Sequence, residues 1–238
     1  MSKRNYSMID YFIQREKEIT PVLHFKGKTK VEFEEWKSSF RSKLLELLGE
    51  FPEQVPLNAE TIATVEKENY IIEKVVFDTE KYASVPAYLL IPKDLKKGKK
   101  WPAILCPHGH GPYGKEPVAG ITLDDEDRVK NMRLHNYNYA QQMAEHGFVT
   151  LAPDERTFGE RSDGGNPYPG RDKCNVHFIR GLILGINLIA LNIWDMMKCI
   201  DYLQTREEVD KDRIGCMGLS FGGTMTTYTA ALNERVKA

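Results

Sequence analysis

The sequence predicts an α/β chain: a mostly parallel, doubly wound sheet with flanking helices over residues 67–238, preceded by an N-terminal helical extension over residues 1–66. Three observations carry this. Strand-like and helix-like runs alternate through the second part, as parallel strands joined by crossover helices require. Several strand-like runs are short and continuously apolar, as in strands buried on both faces. Finally, a strand, a glycine-rich turn and a helix-compatible segment follow one another around Ser220.

In the extension, Trp36, Phe40, Leu44, Leu47 and Leu48 recur at helical spacing with charged residues between them, which predicts one helix. Gly49, Pro52 and Pro56 stop it. From Asn69 the period changes. Residues 71–77 read as a strand, and Val85, Ala87, Leu89 and Ile91 alternate as a second. Residues 93–100 form a charged, solvated turn before the continuous apolar strand 102–106. After a loop come a helix at 138–146 closed by Gly147 and a buried strand at 148–152. A long polar, glycine-rich segment (154–172) precedes the uncharged run 181–194. An amphipathic helix follows, carrying Ile193, Met197, Ile200 and Leu203, and then strand 214–217; a further strand can start at Val236.

Composition narrows the function classes. Of 238 residues, 41% are hydrophobic and 28% charged, enough for one core plus an appendage. A formal net charge of −1 gives no electrostatic case for nucleic acid or an anionic membrane. No apolar stretch follows the basic residues at the N-terminus, so a cytoplasmic location is expected. The uncharged run 181–194 is shorter than the ~20 residues of a membrane span and is interrupted by Asn187 and Asn192. It reads as a buried helix or the wall of a substrate cavity, with a homo-oligomer interface as the alternative. The four cysteines show no C-x-x-C pairing, which argues against a zinc site and a disulfide framework. Cys106 and Cys216 read as small buried hydrophobes.

The chemistry concentrates at Gly218-Leu219-Ser220-Phe221-Gly222, a G-x-S-x-G turn in its strand–turn–helix setting. Such a turn strains the serine backbone, and small residues on either side let the chain approach itself. Ser220 is the candidate nucleophile. The helix that starts there directs its first N–H groups, Phe221 foremost, at the place where an oxyanion would develop. A second donor is expected from Pro107-His108-Gly109-His110-Gly111, with the His110 N–H as the candidate. His108 and His110 also have the i, i+2 spacing of metal ligands on one strand face, but no third ligand has a matching position. His108 as a hydrogen-bonding brace for the loop is the favoured role, and no metal or other cofactor is expected.

These pieces resemble bacterial α/β-hydrolases of the dienelactone-hydrolase and acetyl-xylan-esterase-like group. The resemblance covers roughly residues 70–238 and runs through His108-Gly-His-Gly, Gly114-Lys115-Glu116, residues 151–161, Trp194-Asp195 and the approach to the elbow at 209–215. It implies an α/β-hydrolase fold and a metal-free serine esterase acting on a small-molecule ester, of short acyl or acetylated-carbohydrate type. Dienelactone hydrolases proper use a cysteine nucleophile, whereas position 220 is serine. In this fold an acid and a histidine follow the elbow, yet all six histidines precede Ser220. The chain is therefore expected to be a piece of a longer enzyme.

Asp154, Arg156, Glu160 and Arg161 lie at the carboxyl end of a strand, the ligand-binding edge of open α/β sheets. They either contact substrate or form an ion-pair network that fixes the loop; Lys115 and Glu116 carry the same two readings. Asp195 and Asp201 are expected as capping or solvated helix residues. A prolyl-oligopeptidase-type peptidase and a noncatalytic hydrolase-like binding module are the competing functions.

Overall fold

The computed structural model describes residues 4–93, 98–163 and 169–238 and contains two compact units, Met1–Leu47 and Leu48–Ala238. Part of the charged turn 93–100 and the centre of the polar segment 154–172 lie outside the described residues.

The first unit holds two helices where the apolar spacing predicted one: α1 (Met8–Glu18) and α2 (Lys30–Leu48). The Ser7 hydroxyl caps α1 by accepting the Asp10 N–H at 3.2 Å. Phe25, Phe33, Trp36 and Phe40 form a chain of ring contacts with centroids 5.2–5.7 Å apart, and the Trp36 indole donates to the Leu23 carbonyl at 2.8 Å. The helical extension does not run to residue 66. Residues 60–66 are strand β1 (Glu60–Glu66), an exposed edge with no continuous apolar run for the sequence reading to catch.

The second unit is built on a six-stranded sheet in the order β1-β2-β3-β5-β4-β6. β2 (Tyr70–Glu80), β3 (Ala83–Pro92), β4 (Trp101–Leu105), β5 (Val149–Pro153) and β6 (Val209–Cys216) match the predicted strands to within a few residues. β1, β2 and β3 form an antiparallel meander, and β3 joins β5 antiparallel. β5, β4 and β6 are parallel, as the crossover pattern requires, and these three carry the site. Beyond β6, Val236 bridges to Ile214 in parallel, and the Cys216 N–H donates to the Ala238 carbonyl at 2.8 Å.

Adjacent residues Leu89 and Leu90 of β3, and Leu151 and Ala152 of β5, are all fully buried. Neighbours on a strand face opposite ways, so both faces of the sheet are covered. On one face Ile72, Leu90, Cys106 and Ala152 pack with helix α4 (Tyr139–Glu145). The other face meets helix α6 (Leu188–Thr205), where Phe77 stacks on Tyr202 with ring centroids 4.8 Å apart.

Two further elements depart from the sequence reading. Helix α3 (Glu126–His135) occupies part of the stretch read as loop. It carries almost no apolar stripe, and its signal is the cap: Asp125 accepts the N–H groups of Asp127 and Arg128 at 2.9 and 3.1 Å, with acids in the first turn. The uncharged run 181–194 is not a single buried element. It contains the end of helix α5 (Lys173–Ile183), a turn and the start of α6. Leu182, Ile183 and Leu184 are exposed, whereas α6 is buried along most of its length. Among the described residues no single helix is long and apolar enough to cross a membrane.

Candidate active site

Parallel strands β4, β5 and β6 end at one edge of the sheet, and each delivers one part of the site. From β6 the chain turns at Gly218–Ser220 into helix α7 (Phe221–Leu232). Ser220 sits at φ 57°, ψ −118°, a conformation costing a non-glycine residue about 1–3 kcal/mol that persists only when its surroundings enforce it. The surroundings are tight. A Cβ on Gly222 would lie 2.2 Å from the Pro107 carbonyl oxygen and 2.8 Å from that of His108, so the elbow and the β4 loop touch backbone to backbone. Ser220 itself is exposed, and Phe221 is the first residue of α7, where the N–H has no acceptor within the helix.

The β4 loop supplies the opposite wall. The Gly109 N–H is taken by the Tyr137 hydroxyl, and no backbone acceptor binds the His110 N–H among the described residues. A Cβ on Gly109 would lie 3.3 Å from Ser220 Cβ and 2.8 Å from the Leu219 carbonyl, so the loop passes directly beside the serine. Ser220, Leu219, Gly109, His110, His135 and Tyr137 line a pocket of about 240 Å³, which Asn131 and Tyr113 help to close. Ser220 and His110 thus line one cleft, and Phe221 follows Ser220 as the first residue of α7. That arrangement can attack an acyl carbonyl and stabilise the negative charge that develops on its oxygen.

His108 is part of the scaffold of this cleft. It is fully buried, its Nδ1–H donates to the Gly109 carbonyl at 2.7 Å, and its Nε2 accepts the Glu155 N–H at 3.1 Å. These contacts fix the neutral Nδ1–H tautomer, and burial lowers the imidazole pKa although Asp154 opposes it. Both ring nitrogens being engaged by backbone, His108 braces the loop, and the paired metal-ligand geometry does not form. Among the described residues no cluster of three or more His, Cys, Asp or Glu is placed to hold a metal ion. The His110 ring stands half-exposed, with Nε2 3.4 Å from Asp172 Oδ2.

The charged residues after β5 form an ion-pair network with Lys115 and Asp195. Asp154 accepts from the Lys115 N–H at 2.9 Å, the Lys115 ammonium at 2.5 Å and the Glu160 N–H at 3.0 Å. Arg156 grips Asp195 with a two-pronged contact at 2.8 and 2.9 Å, and Arg161 adds a third at 2.8 Å. Asp195 is therefore neither a cap nor solvated. It is fully buried, and although burial alone would raise its pKa, the Arg161 and Arg156 guanidiniums hold it below the usual carboxylate range. Asp201, read likewise, pairs with Lys198 at 3.1 Å and Arg235 at 2.6 Å. Glu116 pairs with Arg128, tying the β4 loop to α3. These functions were open in sequence because pairing partners lie up to 86 residues apart, as Lys74 and Glu160 do.

Three site residues had no sequence signal. Phe158 is a buried hub whose ring meets those of His108, His110 and Phe221 at 5.3, 4.9 and 6.0 Å, joining the two walls of the cleft. Tyr139 donates to the Pro107 carbonyl, and Tyr137 holds Gly109. Cys216, two residues before the turn glycine, is buried with its thiol pKa pushed up to about 11 by desolvation, so it is a poor nucleophile beside Ser220.

The chain is 31% identical over 198 residues to the Bacillus subtilis protein YtaP, named as a hydrolase, covering 83% of this chain and 60% of that protein. Among solved structures, a Bacteroides fragilis protein assigned to the acetyl xylan esterases superposes with a TM-score of 0.81 at 23% identity, over 99% of this chain and 60% of that one. A glucuronoyl esterase from Solibacter usitatus gives 0.58 at 17% identity, over 85% and 57%. At these identities the structures establish the α/β-hydrolase fold, and the chain spans about 60% of the length of the first curated relative. The pattern of the Abhydrolase family matches residues 3–237, nearly the full chain, and with the elbow and its facing loop in place the chain belongs to that family.

Proposed function

We propose that this chain carries the nucleophile and oxyanion site of a serine-dependent carboxylic-ester hydrolase. Ser220 attacks the acyl carbonyl, the Phe221 and His110 N–H groups receive the oxyanion, and an acyl-enzyme forms and is hydrolysed by water. The observation that carries this reading is the strained Ser220 backbone, held by close backbone contact between the elbow and the β4 loop. A binding module gains nothing from such strain. Esters named for similar structures, acetyl xylan and glucuronoyl esters, point to short acyl or carbohydrate-linked substrates. A pocket of about 240 Å³ fits a small acyl group.

Ser220 needs a base, and among the described residues no histidine is hydrogen-bonded to it. In this fold the acid and histidine follow the elbow, whereas every histidine of the 238 residues precedes it. We assign both roles to the whole protein outside these residues. A second reading has one observation in its favour: His110 lines the Ser220 pocket with Asp172 at 3.4 Å, an internal base with its own carboxylate.

A fluorophosphonate probe should label Ser220, and Ser220→Ala should abolish both labelling and p-nitrophenyl acetate hydrolysis in the full-length protein while leaving the melting temperature unchanged. Hydrolysis that survives Ser220→Ala would overturn the assignment. The 238-residue chain alone should show only the residual acceleration of about 10³–10⁴ over water that a site without a base retains. Full turnover by that chain, lost in His110→Ala, would establish the internal base instead.

A further inference from the structure

The Tyr137 side chain stands at the cleft with an unspent proton. Its hydroxyl oxygen accepts the Gly109 N–H, so one lone pair is committed and the oxygen is fixed against the β4 loop. The rest of the residue is held as firmly. Its N–H donates to the Met132 carbonyl at 2.9 Å, and its ring meets the edge of Tyr139 with centroids 5.8 Å apart. Tyr139 is itself anchored to the Pro107 carbonyl. A tyrosine hydroxyl is both acceptor and donor. Among the described residues nothing accepts the Tyr137 proton, and the residue lines the pocket that contains Ser220.

Position makes this useful. A Cβ on Gly109 would lie 2.6 Å from the Tyr137 oxygen and 3.3 Å from Ser220 Cβ, so the two side chains flank the same α-carbon. Gly109 immediately precedes His110, whose N–H faces the oxyanion in the reading above. We propose that the Tyr137 hydroxyl is a third donor to the developing oxyanion, beside the N–H groups of His110 and Phe221, an assignment that rests on the ester-hydrolase reading. The hydrogen bond involves no proton transfer: the phenol stays neutral throughout, and its strength grows with the charge on the carbonyl oxygen. Burial keeps the phenol neutral by raising its pKa, the bond from Gly109 opposes this, and Glu155 reinforces it. His110, His135 and Tyr113 are the other titratable groups among the residues that line the pocket.

The test is made in the full-length protein with p-nitrophenyl acetate. Tyr137→Phe should lower kcat by about 10²-fold with KM little changed, the pattern of a contact made in the transition state. Because that variant also removes the acceptor for Gly109, a second one separates donor from brace: 3,5-difluorotyrosine at position 137. Its more acidic phenol ionises at lower pH, and the phenolate still accepts the Gly109 N–H but has no proton to give. Activity should then fall as pH rises through the fluorophenol pKa, in a range where the wild type holds steady. A difluorotyrosine profile that matches the wild type would make Tyr137 a brace only and overturn the proposal. If Ser220→Ala is inert while Tyr137→Phe stays within about twofold of wild type, the donor role fails and the nucleophile stands. An active Ser220→Ala would remove the parent reading itself.

Discussion

The Lys115 ammonium lies 2.5 Å from the Asp154 carboxylate, with both side chains about 1% exposed, and it reaches Glu160 at the same distance. This pair locks the β4 loop onto the end of β5, directly behind the cleft. Lys115 also sits over the Tyr88 ring at 5.1 Å, so its charge is compensated on two sides. Removing Lys115 leaves the Asp154 carboxylate buried without its cation. Lys115→Met should cost about 3–5 kcal/mol, whereas Lys115→Met combined with Asp154→Leu should cost less than the single change. Urea unfolding followed by circular dichroism measures both, and additive losses would show that the pair is not coupled.

The elbow makes a sharper steric prediction. Gly222→Ala places a Cβ against two backbone carbonyls, Pro107 and His108, neither of which can swing aside as a side chain would. The elbow must shift away from the β4 loop, separating Phe221 from His110. Fluorophosphonate labelling of Ser220 should drop at least about 10²-fold, since the geometry of the oxyanion donors is lost. Unchanged labelling would mean that the two loops are not in contact.

Glu155 predicts an unusual pH dependence. It is fully buried, and neither carboxylate oxygen has a hydrogen-bond partner among the described residues. Burial, with Asp154 adding to it, pushes its pKa well above the usual carboxylate range. The folded pKa therefore exceeds the unfolded one. Stability from this group is intact below the unfolded value of about 4.3 and is lost as pH rises from there toward the folded pKa. Glu155→Gln should stabilise the protein at neutral pH, by an increment that grows by up to about 1.4 kcal/mol per pH unit across that window. Melting temperatures of both forms from pH 4 to pH 8 test the sign, and a gain that shrinks with pH would contradict it.

Chelation provides the last prediction. With both His108 nitrogens bonded to backbone, no paired histidine site forms beside His110. EDTA should leave ester hydrolysis by the full-length protein unchanged, and restoration of lost activity by added zinc would refute the metal-free mechanism.

The elbow was legible in the sequence because its signal is local. An apolar strand, two small residues around a serine and a helix-compatible segment within a dozen positions announce the turn, while its strain is held by the β4 loop packed against it. The buried strands β4 and β5 were legible for the same reason: continuous short apolar runs have few other uses. Helix α3 and edge strand β1 were not, since neither buries an apolar stripe and periodicity is the main signal of secondary structure. The charged residues after β5 were recognised as candidates, but their role was decided only when the fold brought Lys115 to Asp154 and Asp195 to Arg156 and Arg161. Tyr137 stands 28 residues from the Gly109 N–H it holds. Such partners are chosen by three-dimensional proximity, and a sequence records which groups are present without recording which of them meet.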